Sequence, residues 1–466
     1  MEKIILIGID AADADFIRKN LSQLPYFQKI LENGFCHENK VMPPITIPNW
    51  PSIFSGCNFE KIGFLNFRRY KNGKLELFNS SYWKNKSIFN RLSKAGKKSL
   101  GINIPGLYPV WDDSFADLVA GMISPELNQN KKIFNKKRYI VEGRTKADCK
   151  KAFNIKTATF LDICDNYDFA SIVIRYIDSL NHQPCSDYYA HFIEVYKEID
   201  SFLERLLQKN INVFLVSDHG TTIYRKELYI NELLKKHGLL IEKRKSVGQK
   251  IKQKLRRSIR KICADSKLIE IPAILVYKTI QKLTIKKQKD IETENKLGII
   301  PEFIDLKNSK AFAIKSLGNT CFIHVLKEKY KKQVKEILAK CKHIKEAREF
   351  PEGKNPAFFI RADKQFIVND MLQGRSVIEP IPGFLEHSDR FMFCGYGKDI
   401  KKGILHKNIK IEDITPTILH MLGLKIPKDC DGIVLRSIFK EKSAAYTRKV
   451  RYEKKDTKNV IENINI

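Results

Sequence analysis

The 466-residue sequence lacks any uninterrupted apolar run of about 20 residues, the length that a membrane-spanning helix requires. Its first apolar run, IILIGID, already ends on Asp10, which does not fit a cleaved secretory signal. The ten cysteines are scattered and no two form a CxxC pair, which argues against a zinc ribbon or a small disulfide scaffold. We therefore expect mostly reduced, buried cysteines and a cytoplasmic protein.

Internal repeats and low-complexity tracts are also lacking, apart from short basic stretches. A hydrophobic content of 43% and an aromatic content of 10% are ordinary for a compact globular protein. The net charge of +31 predicts attraction to polyanions such as nucleic acid, an anionic membrane surface or phosphorylated substrates. A general basic bias of the proteome would explain this charge equally well.

Three apolar runs end on residues that can bind a metal ion. IILIGID ends on Asp10, and SIVIRYID ends on Asp178, with His182 four residues later. The third run, NVFLVSDHG, ends on Asp218 and His219 and follows the strongest predicted helix, DYYAHFIEVYKEIDSFLERLLQKN. Strand-like and helical patterns alternate up to about residue 220, so we predict parallel strands whose carboxyl ends meet at one sheet edge.

Two further segments add polar groups to this set. PPITIPNWPSIFSG contains Thr46, and Pro48 and Asn49 begin a predicted helix whose positive end would face an anion. A threonine hydroxyl becomes a useful nucleophile when a cation or a base lowers its pKa, and Asn49 can donate to a phosphoryl oxygen. His387 lies in PGFLEHSDR. Each motif alone is commonly a turn, a cap or a buried histidine, but together they favour a two-metal phosphoryl-transfer site.

We predict an α/β fold with a mostly parallel central sheet flanked by helices and a small α+β cap insertion. The catalytic core would comprise residues 1–225 and 375–438, with a charged C-terminal tail at 439–466. Residues 226–374 would form a basic helical insertion and then the cap. In the cap we predict the strands KAFAI and NTCFIHVL, a helix, and the strands AREF and AFFIRADKQFIV.

Lysine and arginine far outnumber acidic residues between 243 and 290. A narrow apolar stripe lies within this cationic stretch and comprises Ile251, Leu255, Ile259 and Ile262. Such a helix could lie on an anionic membrane surface, peripheral to the membrane, or contact nucleic acid. A solvated surface helix that packs its stripe on the protein body is the structural alternative.

Taken together, these segments resemble the alkaline phosphatase superfamily and, within it, the type I phosphodiesterase/nucleotide pyrophosphatase branch. The likeness rests on GIDAAD, PPITIPNWPSIFSG with the following GFLNF, YIDSLNH, VSDHGTT, and the closing block from EHSDRFMFCGYG through EDITPTILHMLGLKIPKDCDG. These motifs span almost the whole chain in the family's order. The resemblance implies an alkaline-phosphatase-like fold and a hydrolase of phosphoric esters or anhydrides.

The resemblance also implies two divalent metal ions. One ion would be bound by Asp10, Thr46, Asp218 and His219. The other would be bound by Asp178, His182 and His387. Zinc is implied at both positions, although manganese or iron would also suit mixed nitrogen and oxygen ligands. A threonyl-phosphate intermediate would form on Thr46 and would then be hydrolysed by water.

We therefore expect a phosphodiesterase that acts on a small phosphate ester, because Asn49 stands where the diesterase branch has its asparagine. A phosphomonoesterase or phosphotransferase that uses the same metal ions is the alternative. An alternative of a different class is a binding protein whose basic region engages membrane or nucleic acid and whose metal site is a relic.

Overall fold

The computed structural model describes residues 2–71, 74–122, 124, 133–134, 145–181, 187–209, 211–243, 303–351, 356–372, 376–403 and 408–453. His182 and the basic region after residue 243 lie outside the described residues, so the metal-binding role of His182 and the surface role of that region stay predictions. Among the described residues, no helix combines the length and the hydropathy needed to cross a bilayer.

The strands are numbered in chain order. They are β1 (Ile4–Ile9), β2 (Phe35–Lys40), β3 (Arg68–Lys71), β4 (Lys74–Leu77), β5 (Ser99–Ile104), β6 (Ala116–Ala120), β7 (Phe169–Ile174), β8 (Asn212–Val216), β9 (Gly220–Tyr229), β10 (Ala311–Lys315), β11 (Thr320–Val325), β12 (Ile344–Glu349), β13 (Phe358–Ala362), β14 (Phe366–Asn369), β15 (Ile378–Ser388) and β16 (Arg390–Tyr396).

The α-helices are numbered in the same way. They are α1 (Ala14–Lys19), α2 (Pro25–Asn33), α3 (Thr46–Ser55), α4 (Phe59–Ile62), α5 (Ile88–Lys94), α6 (Lys146–Ile163), α7 (Tyr176–Ser179), α8 (Tyr188–Leu207), α9 (Ile230–Lys236), α10 (Lys331–Lys340), α11 (Ile414–Met421) and α12 (Ala444–Thr447). The strongest predicted helix is confirmed as α8, which Asp187 caps by accepting a hydrogen bond from the Ala190 amide.

Within the described residues, the central sheet has seven strands in the order β2-β16-β8-β1-β7-β5-β6. The strands from β8 to β6 run parallel to one another, whereas β16 is antiparallel to both β8 and β2. Side chains of β1 alternate between two hydrophobic cores: Ile5 and Ile7 pack on one face of the sheet, and Ile4 and Leu6 on the other. The predicted mostly parallel α/β sheet is confirmed.

The cap contains a four-stranded antiparallel sheet in the order β10-β11-β13-β12. The run AFFIRADKQFIV, predicted as one strand, is two strands, because the chain turns at Asp363 after β13 and resumes as β14. Strand β14 pairs with β9 rather than with the cap sheet, and β15 pairs with the other edge of β9. This three-stranded sheet joins the cap to the core.

Two contacts hold the cap against the segment that follows α3. Phe322, Phe350 and Phe359 of the cap form a hydrophobic cluster with Phe59 of α4. Arg348 of β12 lies 3.1 Å from Glu60, also on α4. The cap is therefore packed against α4, the helix that follows α3 in the chain.

Among the described cysteines, one pair departs from the predicted reduced state. Cys36 of β2 and Cys394 of β16 face each other across neighbouring strands and form a disulfide bond. The free cysteines among the described residues are Cys57, Cys149, Cys164, Cys321, Cys341 and Cys430. The pairing was not predicted because it depends on the strand order, which sequence spacing does not reveal.

Candidate metal centre

The carboxyl ends of β1, β7 and β8 bring the predicted acids together. Asp10 directly follows β1, and Asp218 lies two residues beyond β8. Asp178 lies in the short helix α7 rather than at the end of a strand, because β7 already ends at Ile174. All three carboxylates are buried. The predicted convergence of these acids on one sheet edge is thus what the structure shows.

Two imidazoles complete the cluster. His219 Nδ1 lies 3.1 Å from the Gly220 carbonyl oxygen, and His387 Nδ1 lies 2.8 Å from that of Pro44. A carbonyl oxygen accepts only from a protonated Nδ1, and in the neutral form of such a ring Nε2 carries the lone pair that can bind a metal ion. His219 Nε2 lies 3.4 Å from Asp10 Oδ1 and 3.3 Å from Asp218 Oδ2. His387 Nε2 lies 3.3 Å from Asp178 Oδ1.

These side chains form two overlapping groups of potential ligands. Within each group the ligand atoms all lie within 4.8 Å of one another. One group comprises Asp10, Asp218 and His219, and the other comprises Asp178, His219 and His387. His219 thus belongs to both groups, whereas the family resemblance assigned it to one ion. His182, assigned to the second ion, lies outside the described residues.

The electrostatics of the cluster fit cation binding. Burial, and next the charge of Asp178, raise the pKa of Asp10 to about 6. Burial, and next the charges of Asp10 and Asp178, raise the pKa of Asp218. Asp10 Oδ1 is buried and accepts no hydrogen bond from the described residues, and both carboxylate oxygens of Asp218 are buried as well. Unsatisfied oxygens beside imidazole nitrogens are the ligands that zinc, manganese and iron accept.

Thr46 adjoins the first of these groups. Its Oγ1 lies 3.5 Å from His219 Nε2, and the residue is buried. The backbone of Ile47 is not helical, with φ −110° and ψ 120°, so the regular turns of α3 begin at Pro48. Thr46 therefore lies in an irregular segment just before the regular helix, as the sequence predicted, with its hydroxyl beside the His219 imidazole.

Asn49 was predicted to donate to a phosphoryl oxygen, but its amide group bonds the backbone in this structure. Its Nδ2 donates to the carbonyl oxygens of Pro43, at 2.8 Å, and Asp218, at 2.9 Å. Both amide hydrogens are therefore directed at backbone carbonyls in this structure. The side chain links the loop that carries Thr46 to the turn that carries Asp218 and His219.

Two residues whose role the sequence did not predict bond the Oδ2 atoms of Asp10 and Asp178, here called the outer oxygens of these carboxylates. Trp50 Nε1 donates to Asp10 Oδ2 at 3.1 Å. Arg175 Nε donates to the same oxygen at 3.1 Å, and its Nη2 donates to Asp178 Oδ2. An arginine inside the apolar run SIVIRYID, three residues before an acid, was the available signal. A charged residue in such a run needs a buried partner.

Comparisons with known proteins agree with this architecture. The sequence model of the family described as type I phosphodiesterase / nucleotide pyrophosphatase matches residues 4–344. Murine ectonucleotide pyrophosphatase/phosphodiesterase 5 is similar in structure with a TM-score of 0.53 and 15% identity, covering 91% of this chain and 96% of that chain. A comparison with curated proteins finds no match.

A second structural relative is named for a different activity. Phosphonoacetate hydrolase from Sinorhizobium meliloti 1021, solved in complex with phosphonoformate, has a TM-score of 0.56 and 12% identity, with 89% of this chain and 94% of that chain covered. Likenesses at this identity show the fold alone, whereas the family match spans most of the sequence. The chain therefore belongs to the type I phosphodiesterase/nucleotide pyrophosphatase family of hydrolases.

Proposed function

We propose that this protein is a metal-dependent phosphodiesterase of the nucleotide pyrophosphatase type, with Thr46 as its nucleophile. The observation that carries the proposal is the position of Thr46 Oγ1, 3.5 Å from His219 Nε2 and beside the buried Asp10–Asp218–His219 group. A hydroxyl in such surroundings lies where phosphoryl transfer needs an attacking oxygen.

We propose the division of metal ligands that the family resemblance implies. One ion would be held by Asp10, Thr46, Asp218 and His219. The other would be held by Asp178, His387 and, by sequence analogy, His182. When bound, such ions lower the pKa of a nearby hydroxyl and offset negative charge on the phosphoryl oxygens and the leaving group. Zinc remains our proposal for both, with manganese or iron compatible with the same ligands.

The chain's own residues account for the rest of the proposed reaction. Thr46 Oγ1 forms a bond to phosphorus as it loses its proton, and the bond from phosphorus to the leaving oxygen breaks. The leaving group takes up a proton and departs, which leaves a phosphate ester on Thr46. Water then attacks phosphorus, the bond to Thr46 Oγ1 breaks, and the threonine hydroxyl is restored.

Asn49 is proposed to act in this reaction through the loop that it holds. Its two hydrogen bonds, to the carbonyl oxygens of Pro43 and Asp218, fix the loop that carries Thr46 relative to the turn that carries Asp218 and His219. Donation to a phosphoryl oxygen, as the sequence predicted, requires that the amide release one of these carbonyls. The net charge of +31 supports an anionic substrate, and a complex of the murine relative with AMP supports a nucleotide-like phosphate ester.

The test compares bis(p-nitrophenyl) phosphate with p-nitrophenyl phosphate as substrates of the zinc- or manganese-loaded protein. We expect faster diester turnover and a loss of about 10³-fold or more in Thr46→Ala, which removes the proposed nucleophile. Thr157→Ala is the matched control, because Thr157 is also buried and, among the described residues, its hydroxyl bonds carbonyl oxygens within α6. Equal or faster monoester turnover would favour the phosphomonoesterase or phosphotransferase alternative, and full activity of Thr46→Ala would place the nucleophile elsewhere.

The basic region at 243–290 is proposed to contact anionic membrane surfaces or other polyanions. The excess of lysine and arginine over acidic residues in this region supports the proposal. Deletion of these residues should abolish binding to vesicles that contain anionic lipid and leave diesterase activity unchanged. Activity lost together with binding would instead make the region part of the catalytic unit.

A further inference from the structure

We propose that Arg175 is a positioning residue that ties the two halves of the metal centre together. This inference rests on the proposed function, because it concerns the same carboxylates. The guanidinium group lies between Asp10 and Asp178: its Nε donates to Asp10 Oδ2 at 3.1 Å, and its Nη2 donates to Asp178 Oδ2. One planar group thus bonds a carboxylate of each half.

The oxygens of these two carboxylates have separate roles. The outer oxygen of each, Oδ2, bonds Arg175, while the inner oxygen, Oδ1, faces an imidazole. Asp10 Oδ1 lies 3.4 Å from His219 Nε2, and Asp178 Oδ1 lies 3.3 Å from His387 Nε2. Because a carboxylate is planar, fixing the outer oxygen also fixes the direction of the inner one. Arg175 therefore sets how the inner oxygens of the two halves are oriented relative to each other.

The backbone supports the same arrangement. Arg175 is the first residue after β7, which pairs in parallel with β1, and the Asp10 amide donates to the Ile174 carbonyl oxygen at 2.9 Å. The arginine side chain is only 7% exposed, so its rotamers are limited by packing. A lysine at this position would offer a single ammonium point charge instead of a fork with fixed geometry.

A role of Arg175 through its charge and a role through its position predict opposite changes in metal affinity for a neutral variant. If Arg175 acts only through its charge, Arg175→Met should bind divalent ions more tightly, because a neighbouring cation has been removed. Arg175→Lys, which keeps the charge, should then bind as the parent does. If Arg175 acts as a positioning residue, both variants should bind more weakly, because neither can hold Asp10 and Asp178 at once.

The experiment measures the affinity of the full-length protein for Zn²⁺ by competition with a chromophoric chelator. We expect both metal equivalents to weaken by about 10–100-fold in Arg175→Lys and Arg175→Met, the range typical of residues that hold metal ligands in place. Arg91→Lys is the matched control: Arg91 is also largely buried and bonds Asp429 and the Lys86 carbonyl, away from the metal centre. Unchanged affinity in Arg175→Lys, or tighter binding in Arg175→Met, overturns the proposal.

Trp50→Phe gives a second test that does not depend on whether the Arg175 variants fold. It removes the indole donor to Asp10 Oδ2 and leaves Asp178 Oδ2 untouched. We expect one equivalent of Zn²⁺ to bind more weakly and the other to bind with the affinity seen in the parent. Parental affinity for both equivalents in this variant overturns the role given to the outer oxygens.

The two proposals fail in different ways. A parent protein that binds two equivalents of Zn²⁺ and hydrolyses no diester contradicts the proposed function, while the affinity comparison for Arg175 keeps its meaning. Normal diesterase kinetics and normal affinity in Arg175→Met contradict the Arg175 proposal alone.

Discussion

The imidazole rings of His219 and His387 stack with their centroids 3.6 Å apart and their planes 17° apart. His219 follows β8, whereas His387 lies on β15, which returns from the cap and pairs with β9 so that His387 faces Thr221. The stack joins the two groups of potential ligands. The cap, which precedes β15, therefore influences where a proposed metal ligand lies.

Gly318→Ala should disturb this stack from the cap side. Gly318 has φ +59°, and an added Cβ would lie 2.0 Å from the His387 carbonyl oxygen, which also accepts from the Tyr224 hydroxyl. We expect a loss of about 1–3 kcal/mol in unfolding free energy and at least about tenfold weaker metal binding. Gly238→Ala is the control, because it has φ +68° and no atom within 4 Å of the added Cβ. Equal losses of stability and metal affinity in both variants would mean that backbone strain, and not the contact with His387, causes them.

Gly8→Ala should displace Trp50 from Asp10. A Cβ at Gly8 would lie 2.4 Å from Trp50 Cη2, so the ring must move and its bond to Asp10 Oδ2 is lost. Gly101→Ala meets the Phe89 ring at 2.9 Å on β5 and should destabilise the fold similarly, by about 1–3 kcal/mol. We expect only Gly8→Ala to weaken metal binding, measured by chelator competition. Weakening in both variants would mean that sheet packing, not the indole bond, controls the site.

Asn49→Ala separates a structural role from direct phosphate binding. If the amide holds the carbonyls of Pro43 and Asp218, its loss should reduce the unfolding free energy of the substrate-free protein by about 1–3 kcal/mol and lower kcat. Asn231→Ala is the matched control, since Asn231 also donates to two carbonyls, those of Ala313 and Asp370. It should lose comparable stability and keep its kcat. Parental stability with a raised KM in Asn49→Ala would favour direct phosphate binding.

Lys156 predicts a pH dependence of stability. Burial lowers its pKa to about 7, and its ammonium group donates to Asn103 Oδ1 at 2.9 Å. Between pH 7 and the unfolded-state pKa near 10.4, the unfolded chain binds more protons, so stability should rise with pH by up to about 1.4 kcal/mol per unit.

Urea unfolding at pH 7, 8 and 9 checks this expectation. In Lys156→Met the rise in unfolding free energy with pH should be reduced relative to the parent, because the shifted group is gone. The exposed Lys146 offers a control substitution, Lys146→Met, which should keep the parental slope. A parental slope in Lys156→Met would contradict the expectation.

Much of the fold was predictable because local patterns carry it. Apolar runs that alternate with helical periodicity specify βα units, and a helical crossover between successive strands favours parallel pairing. Features set by distant partners were not predictable. The division of AFFIRADKQFIV depends on β14 pairing with β9, and the bond between Cys36 and Cys394 depends on β2 lying next to β16.

The site divides in the same way. Asp10, Asp218 and His219 were recognisable because each follows an apolar run at the edge where parallel strands end. The roles of Trp50 and Arg175 were not, because they depend on which oxygen of Asp10 points outward. A tryptophan in NWPSIFSG is typical of a hydrophobic core, and only the close approach of β1 and α3 at Gly8 brings its indole to a carboxylate.

The central claim is that Thr46 accepts the phosphoryl group, and mass spectrometry of the acid-quenched enzyme tests it most directly. The metal-loaded protein is quenched during turnover of bis(p-nitrophenyl) phosphate and then digested. We predict that the peptide containing Thr46 carries a p-nitrophenyl phosphate group in the parent and that Thr46→Ala shows neither adduct nor turnover. A phosphoryl adduct on a different side chain, or diester turnover by Thr46→Ala, would contradict the claim.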